Sequence, residues 1–212
     1  MKTRILFPGL LATVLALTGC VTEPYDYANF RAHPPRSILV LPPLNESTDT
    51  RGTYGYLSTV TRPLAEMGYY VYPVVVVDQF MKENGLPTAG EMHEVPLDRI
   101  RDIIGADAVL YVTLKQYGSK YQIVNSATIV TAEGKLVDVK TGTTLWEGTG
   151  NVQQNSSSGS VLVDLVTAAV DQAINSSTDT AHDLAHQVNS QMLMTKDHGL
   201  LYGPYYPKEK KQ

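Results

Sequence analysis

The chain has 212 residues, 17 Lys+Arg against 21 Asp+Glu, a formal charge of −4 and one cysteine, Cys20. That length suits one domain with short appendages, and the acid excess argues against nucleic acid as a partner because it offers no surplus cations to phosphates. One cysteine excludes intrachain disulfides, Cys-cluster zinc sites and iron–sulfur clusters.

The N-terminus reads Met1-Lys2-Thr3-Arg4, an apolar run from Ile5 to Leu17, then Thr18-Gly19-Cys20. Two cations, a short apolar stretch and small residues before a cut site describe a secretory signal peptide, and the run is too short to span a bilayer. Leu17-Thr18-Gly19-Cys20 resembles the bacterial lipobox. The resemblance implies that residues 1–19 are removed, that Cys20 receives a diacylglyceryl group on sulfur, and that its new amino terminus is acylated. Several acyl chains on one residue exceed what stable anchoring requires, so Cys20 reads as a membrane anchor and not as a nucleophile or ligand. Val21 stands where an aspartate would signal inner-membrane retention in enteric bacteria. The outer membrane, with the domain facing the periplasm, is therefore the expected location, and surface exposure stays open.

Residues 20–36 mix Pro, Tyr and charge without periodicity and read as a lipid-anchored tether. Ser37 to Leu41 is a continuous apolar run closed by Pro42-Pro43, which predicts a strand buried on both faces. Apolar residues at Tyr54, Leu57, Val60, Leu64 and Met67 predict a helix over 53–67 that ends at Gly68. Tyr69 to Tyr72 reads as a second strand. Val74 to Lys82 reads as a strand or a helix, the helix being favoured by Pro73 before it and Asn84-Gly85 after it. A further helix is expected at about 96–104.

From Ala106 the period changes to two. Strands are predicted at 108–114, 121–131, 135–139 and 143–153, joined at Tyr117-Gly118-Ser119-Lys120, Glu133-Gly134 and Lys140-Thr141-Gly142 as three consecutive hairpins. Asn155 to Gly159 reads as a flexible break. A long helical stripe covers about 160–192, with Ala181, Leu184, Val188 and Met192 on one face, and Asn175 to Thr180 marks a place for a kink. The last segment, 193–212, holds Tyr202, Tyr205, Tyr206, two prolines and lysines, and reads as a flexible tail. The expected fold is a single α/β sandwich with a mixed sheet: βαβαα, an antiparallel meander, then a long C-terminal helix, spanning 37–192.

His182 and His186 lie four apart on one helical face, the spacing a zinc site uses, but Asp183 stands where a zincin carries glutamate and no third ligand is evident. They are weak metal candidates; no cofactor is expected. Ser156 to Ser160 lacks a nucleophile elbow and Gly52 to Gly55 lacks the Lys-Ser/Thr of a phosphate loop, so no enzyme signature is visible. With thirteen tyrosines against three phenylalanines, residues that join an apolar ring to a polar tip are in surplus, which suits wet interfaces. Tyr54, Tyr56, Tyr202, Tyr205 and Tyr206 are the candidate interface residues.

The segments SILVLPPLNES (37–47), GADAVLYVTLKQY (105–117) and LVDVKTGTTLWEG (136–148) resemble CsgG-type curli-secretion lipoproteins, the LpoB activator lipoproteins and the TolB N-terminal domain. The nearest likeness is to a family of uncharacterised proteobacterial lipoproteins of the meningococcal surface-antigen-candidate type. The resemblance implies a TolB-N/CsgG-like fold, a helix at 74–82, and a CsgG-like lipoprotein as partner. The chain lacks the paired amphipathic insertions that a membrane pore needs. The expected function is therefore a protein-binding accessory subunit of a secretion or envelope-assembly complex, possible as a homo-oligomer. The alternatives are an LpoB-like activator of a cell-wall synthase and, more remotely, a periplasmic hydrolase.

Overall fold

The computed structural model describes residues 25–121, 126–156 and 168–207. Residues 1–19, read as a signal peptide, and Cys20 lie outside the described residues. In chain order the elements are α1 (Ala28–Ala32), β1 (Ser37–Val40), β2 (Leu44–Asn45), α2 (Gly52–Glu66), β3 (Tyr70–Val71), α3 (Val74–Glu83), α4 (Ala89–His93), α5 (Leu97–Ile103), β4 (Ala108–Tyr121), β5 (Ser126–Asp138), β6 (Thr144–Ser156) and α6 (Ala168–Met194). The sheet runs β3-β1-β4-β5-β6, with β2 continuing the line of β1 along β4. The β1, β2 and β3 pairings are parallel, whereas β4, β5 and β6 form the antiparallel meander. Pro42-Pro43 separates β1 from β2 because proline has no N–H to give the ladder.

Two apolar layers sandwich the sheet. Ile38 and Val40 face one cluster, with α2, α6 and Trp146; Leu39 and Leu41 face another, with Val77, Met81, Met92 and Ile100 from α3, α4 and α5. Burial on both faces explains why β1 is an unbroken apolar run. On α6, Ala181, Leu184, Ala185, Val188 and Met192 are buried at helical spacing, as the stripe requires. The helix is continuous from Ala168 to Met194, so Asn175 to Thr180 make no break in it. Residues 157–167, where the serine-rich break and the first part of the expected helix fall, lie outside the described residues.

The meander has three long strands, not four short ones. Two of the three expected turns are strand interior: Gly118 pairs with Ile129, and Gly134 pairs with both Val112 and Gly148. Gly134 and its neighbours are small because other groups occupy their side-chain space. A Cβ on Gly134 would meet Met192 at 3.1 Å, one on Gly148 would lie 2.2 Å from the Trp146 ring, and one on Gly150 would lie 2.7 Å from the Val188 carbonyl. These glycines let α6 and Trp146 press onto the sheet. The third turn is correct: Asp138 accepts from Thr141 N and Thr141 Oγ1 at 2.7 Å, and Gly142 takes φ 73°.

The packed body is longer at both ends than 37–192. In the segment read as tether, Tyr27 and Phe30 are buried, Asn29 donates to the Thr144 carbonyl at 3.3 Å, and the Asp107 carboxylate accepts from the backbone of Arg36 and Ser37 at 2.9 Å. After α6 the chain turns back as a strap over 195–207. Trp146 Nε1 donates to the His198 carbonyl at 2.8 Å, Gly203 N to the Met67 carbonyl at 2.8 Å, and Tyr205 N to the Gly68 carbonyl at 3.1 Å. These contacts carry few apolar residues in sequence, which is why the ends read as loose.

His93, at the end of α4, donates from Nε2 to the Pro42 carbonyl at 2.9 Å and packs edge-on to Tyr111. Desolvation holds its imidazole below the ordinary histidine range, the Pro42 bond opposing in part. The unfolded chain therefore takes up this proton first. Stability should be level above about pH 6.5 and fall as pH drops toward the depressed folded value. Urea midpoints at pH 7.5 and 5.5 should show a smaller drop in His93→Leu than in the parent; equal drops would exclude His93 as a source of the slope.

Candidate functional site

The sequence places Tyr54 and Tyr56 two apart on α2, and the helix sends them in different directions. Tyr54 is 51% exposed and sits over α3, where Lys82 Nζ lies 4.8 Å from the ring centre and donates to its hydroxyl and to Asp78 at 2.8 Å each. The Asp78 bond first, and the Tyr54 bond second, raise the Lys82 ammonium pKa. Tyr56 is fully buried. Its hydroxyl donates to Asn189 Oδ1 at 2.6 Å, Asn189 Nδ2 donates to Thr59 Oγ1 at 2.8 Å, and Thr59 Oγ1 donates to the Tyr56 carbonyl at 2.7 Å. Desolvation raises the Tyr56 pKa strongly. Tyr56 is thus a core residue that ties α2 to α6, which removes it from the interface set.

On the strap, Tyr202 and Tyr205 are exposed, and Tyr206, partly buried, stacks on Tyr202 with centroids 4.1 Å apart. Tyr205 accepts from Arg36 Nη2 at 3.2 Å. These residues lie at the opposite end of α2 from Tyr54, so the candidate tyrosines form two groups.

His182 and His186 meet edge to face, with ring centroids 5.0 Å apart. Desolvation, then the neighbouring His182, lower the His186 pKa. Among the described residues no group of three His, Cys, Asp or Glu side chains converges as a metal cage would require. His182 instead shares a cleft of about 650 Å³ with Tyr54, Arg51, Tyr117 and Asp183.

The sequence reading missed the apolar surface on the other face. Between α3, α4 and α5 runs a groove of about 660 Å³ lined by Phe80, Leu86, Val95, Ile100 and Ile103, with Glu91, Glu94 and Arg99 among its polar residues. Beside it Val75 is 74% exposed, Val76 64% and Ile103 60%. A signal for it is present in VVVVDQFM (74–81): Val77 and Met81 satisfy the core, so the other apolar residues of that helix exceed what one buried stripe can absorb.

Fold and surface together describe a mixed α/β domain with an exposed apolar groove. Residues 25–205 match the model of the GNA1162-like lipoprotein family, and the chain belongs to that family. It is 42% identical over 205 residues to a lipoprotein of Neisseria meningitidis serogroup B, covering 94% of this chain and 95% of that relative. It is also similar to the crystal structure of lipoprotein GNA1162 from Neisseria meningitidis, at 45% identity and TM-score 0.56, covering 66% of this chain and 99% of that one. That likeness bears out the mixed α/β fold. The C-terminal domain of LpoB from Salmonella enterica aligns at 21% identity and TM-score 0.41, over 56% of this chain and 83% of that domain, too distant to bear on function. Among the described residues no helix is long and apolar enough to cross a membrane.

Proposed function

We propose that this lipoprotein is held in the outer membrane by lipid on Cys20, with its domain in the periplasm, and binds another envelope protein as an accessory subunit of a secretion or envelope-assembly complex. The observation that carries the binding role is the apolar surface of α3 and α5. Val76 and Phe80 stand one turn apart on α3, and Phe80 and Ile103 line the same groove. Side chains of this kind around one concave site are what protein–protein contacts cover. The resemblance of segments 37–47, 105–117 and 136–148 to the uncharacterised proteobacterial lipoprotein family, whose members are proposed to sit beside a CsgG-like lipoprotein, points to such a lipoprotein as the partner.

The test is cross-linking in intact cells followed by gentle solubilisation and affinity recovery of the chain. The parent should bring down a CsgG-like lipoprotein. Val76→Asp with Ile103→Asp, both exposed and so compatible with folding, should recover at least about tenfold less, the equivalent of ~1.4 kcal/mol of lost binding. Recovery of a penicillin-binding protein instead would transfer the reading to activation of a cell-wall synthase. Recovery of neither, or equal recovery by the variant, would overturn the proposal.

A further inference from the structure

We infer that the folded body rests directly on the bilayer, through the end formed by Tyr25, α1 and the 195–207 strap, with the exposed strap tyrosines among the lipid headgroups. This rests on the reading of Cys20 as the lipidated residue.

The first observation is the length of the leash. Tyr25 already belongs to the body: its N–H donates to the Asp197 carbonyl at 3.0 Å, and its hydroxyl accepts from Glu147 N at 3.1 Å. Only residues 21–24 separate it from Cys20. Five extended residue steps span at most about 18 Å, less than half the diameter of a compact domain of this size, roughly 40 Å. A domain on such a leash keeps its Tyr25 end within about 18 Å of the membrane. The Tyr25 end must be the near end, while the far tip of the β5–β6 ladder, nine residues beyond Glu147 at Ser156, is carried about 30 Å away.

The second observation is what occupies that near end. Tyr25 pairs with the first turn of the strap, and the Tyr27 hydroxyl donates to the Gly199 carbonyl. From there the strap crosses the C-terminal end of α2 and presents Tyr202 at 52% and Tyr205 at 57% exposure, with Met194 exposed just before it. Tyrosine, apolar in its ring and polar at its tip, is enriched at membrane–water interfaces. Arg31 and Lys196 are exposed at the same end beside the exposed Asp26 and Asp197, so the tyrosines and not a net charge suit this end to the headgroup layer. The strap is not a loose tail, since backbone bonds to Met67 and Gly68 hold it. Its tyrosines are therefore presented at a set height relative to Tyr25.

The experiment uses the mature lipidated chain in vesicles of phosphatidylethanolamine and phosphatidylglycerol. Because the Cys20 sulfur is blocked, Tyr202→Cys or Thr50→Cys supplies a single reactive thiol for a polarity-sensitive bimane. Thr50 is exposed, at the far end of α2. The label at 202 should shift to the blue and be quenched several-fold more by a headgroup-nitroxide lipid than the label at 50. Vesicle flotation, with Cys20→Ala as control, reports the anchor separately: if the parent fails to float, the lipidation reading has failed. If it floats but positions 202 and 50 are quenched alike, the anchor stands and the docked orientation is overturned. Shielding of position 202 only when a second envelope protein is added would also overturn it, since that face would then bind protein.

Discussion

Trp146→Ala is expected to lower stability by about 3–5 kcal/mol and the melting temperature by on the order of 10 °C. Trp146 is fully buried, the largest such side chain in the core. It lies between the sheet and α6, over Gly134 and Gly148, neither of which has a side chain that could move into the space it leaves. Its indole N–H also satisfies the His198 carbonyl, so truncation strips a donor from the strap as well as opening a cavity. Trp146→Phe separates the two effects in part, because it loses the donor and some ring volume while keeping most of the packing, at about 1–3 kcal/mol. Urea unfolding followed by far-UV circular dichroism checks both, since the chain's single tryptophan is the residue removed. A loss near 1 kcal/mol for Trp146→Ala would mean that α6 collapses onto the glycines and that the proposed packing is wrong.

Gly68→Ala should cost about 2–4 kcal/mol and free the strap. Two causes combine. Gly68 takes φ 85°, where an L side chain is strained by about 1 kcal/mol. Its Cβ would also lie 2.2 Å from the Tyr206 backbone nitrogen, a clash that only movement of the strap relieves. Gly85 is a natural control: it has φ 85° as well, with nothing within 4 Å of its Cβ position. Gly85→Ala should thus show the conformational cost alone. Chymotryptic cleavage at Tyr202 and Tyr205 should accelerate in Gly68→Ala and stay at the parental rate in Gly85→Ala. Equal rates in all three proteins would mean that Gly68 does not hold the strap.

The helices and the first strand were legible because each buries one stripe or both faces, and burial of that kind leaves its period in the sequence. α3 shows both sides of this. Its helical spacing was readable, but the four valines at 74–77 could not say which of them faced water, because that depends on where α5 lies. The glycines of the meander misled for a related reason. Gly118 and Gly134 have the composition of turns, and nothing local distinguishes a glycine that lets the chain reverse from one that sits within a strand against Asp49, as Gly118 does, or under Met192 of α6, as Gly134 does. Among the tyrosines, Tyr54 and Tyr56 look alike in sequence; α6, through Asn189, makes one of them core.

The sequence by itself carries the resemblance to a lipobox at Leu17 to Cys20, and it determined the apolar periods and the Pro and Gly stops, because these depend on neighbours a few residues apart. The tertiary structure decided what depends on distant neighbours: three long strands around glycines that seat Trp146 and α6, an apolar groove shared by α3 and α5, and ends of the chain that are packed and not loose. Residues 25–36 and 195–207 meet through the Tyr25 N–H on the Asp197 carbonyl, the Tyr27 hydroxyl on the Gly199 carbonyl and Arg36 on the Tyr205 hydroxyl, across some 170 positions, and contacts so far apart in the chain leave no local period in it. That pairing leaves only residues 21–24 between Cys20 and the packed body.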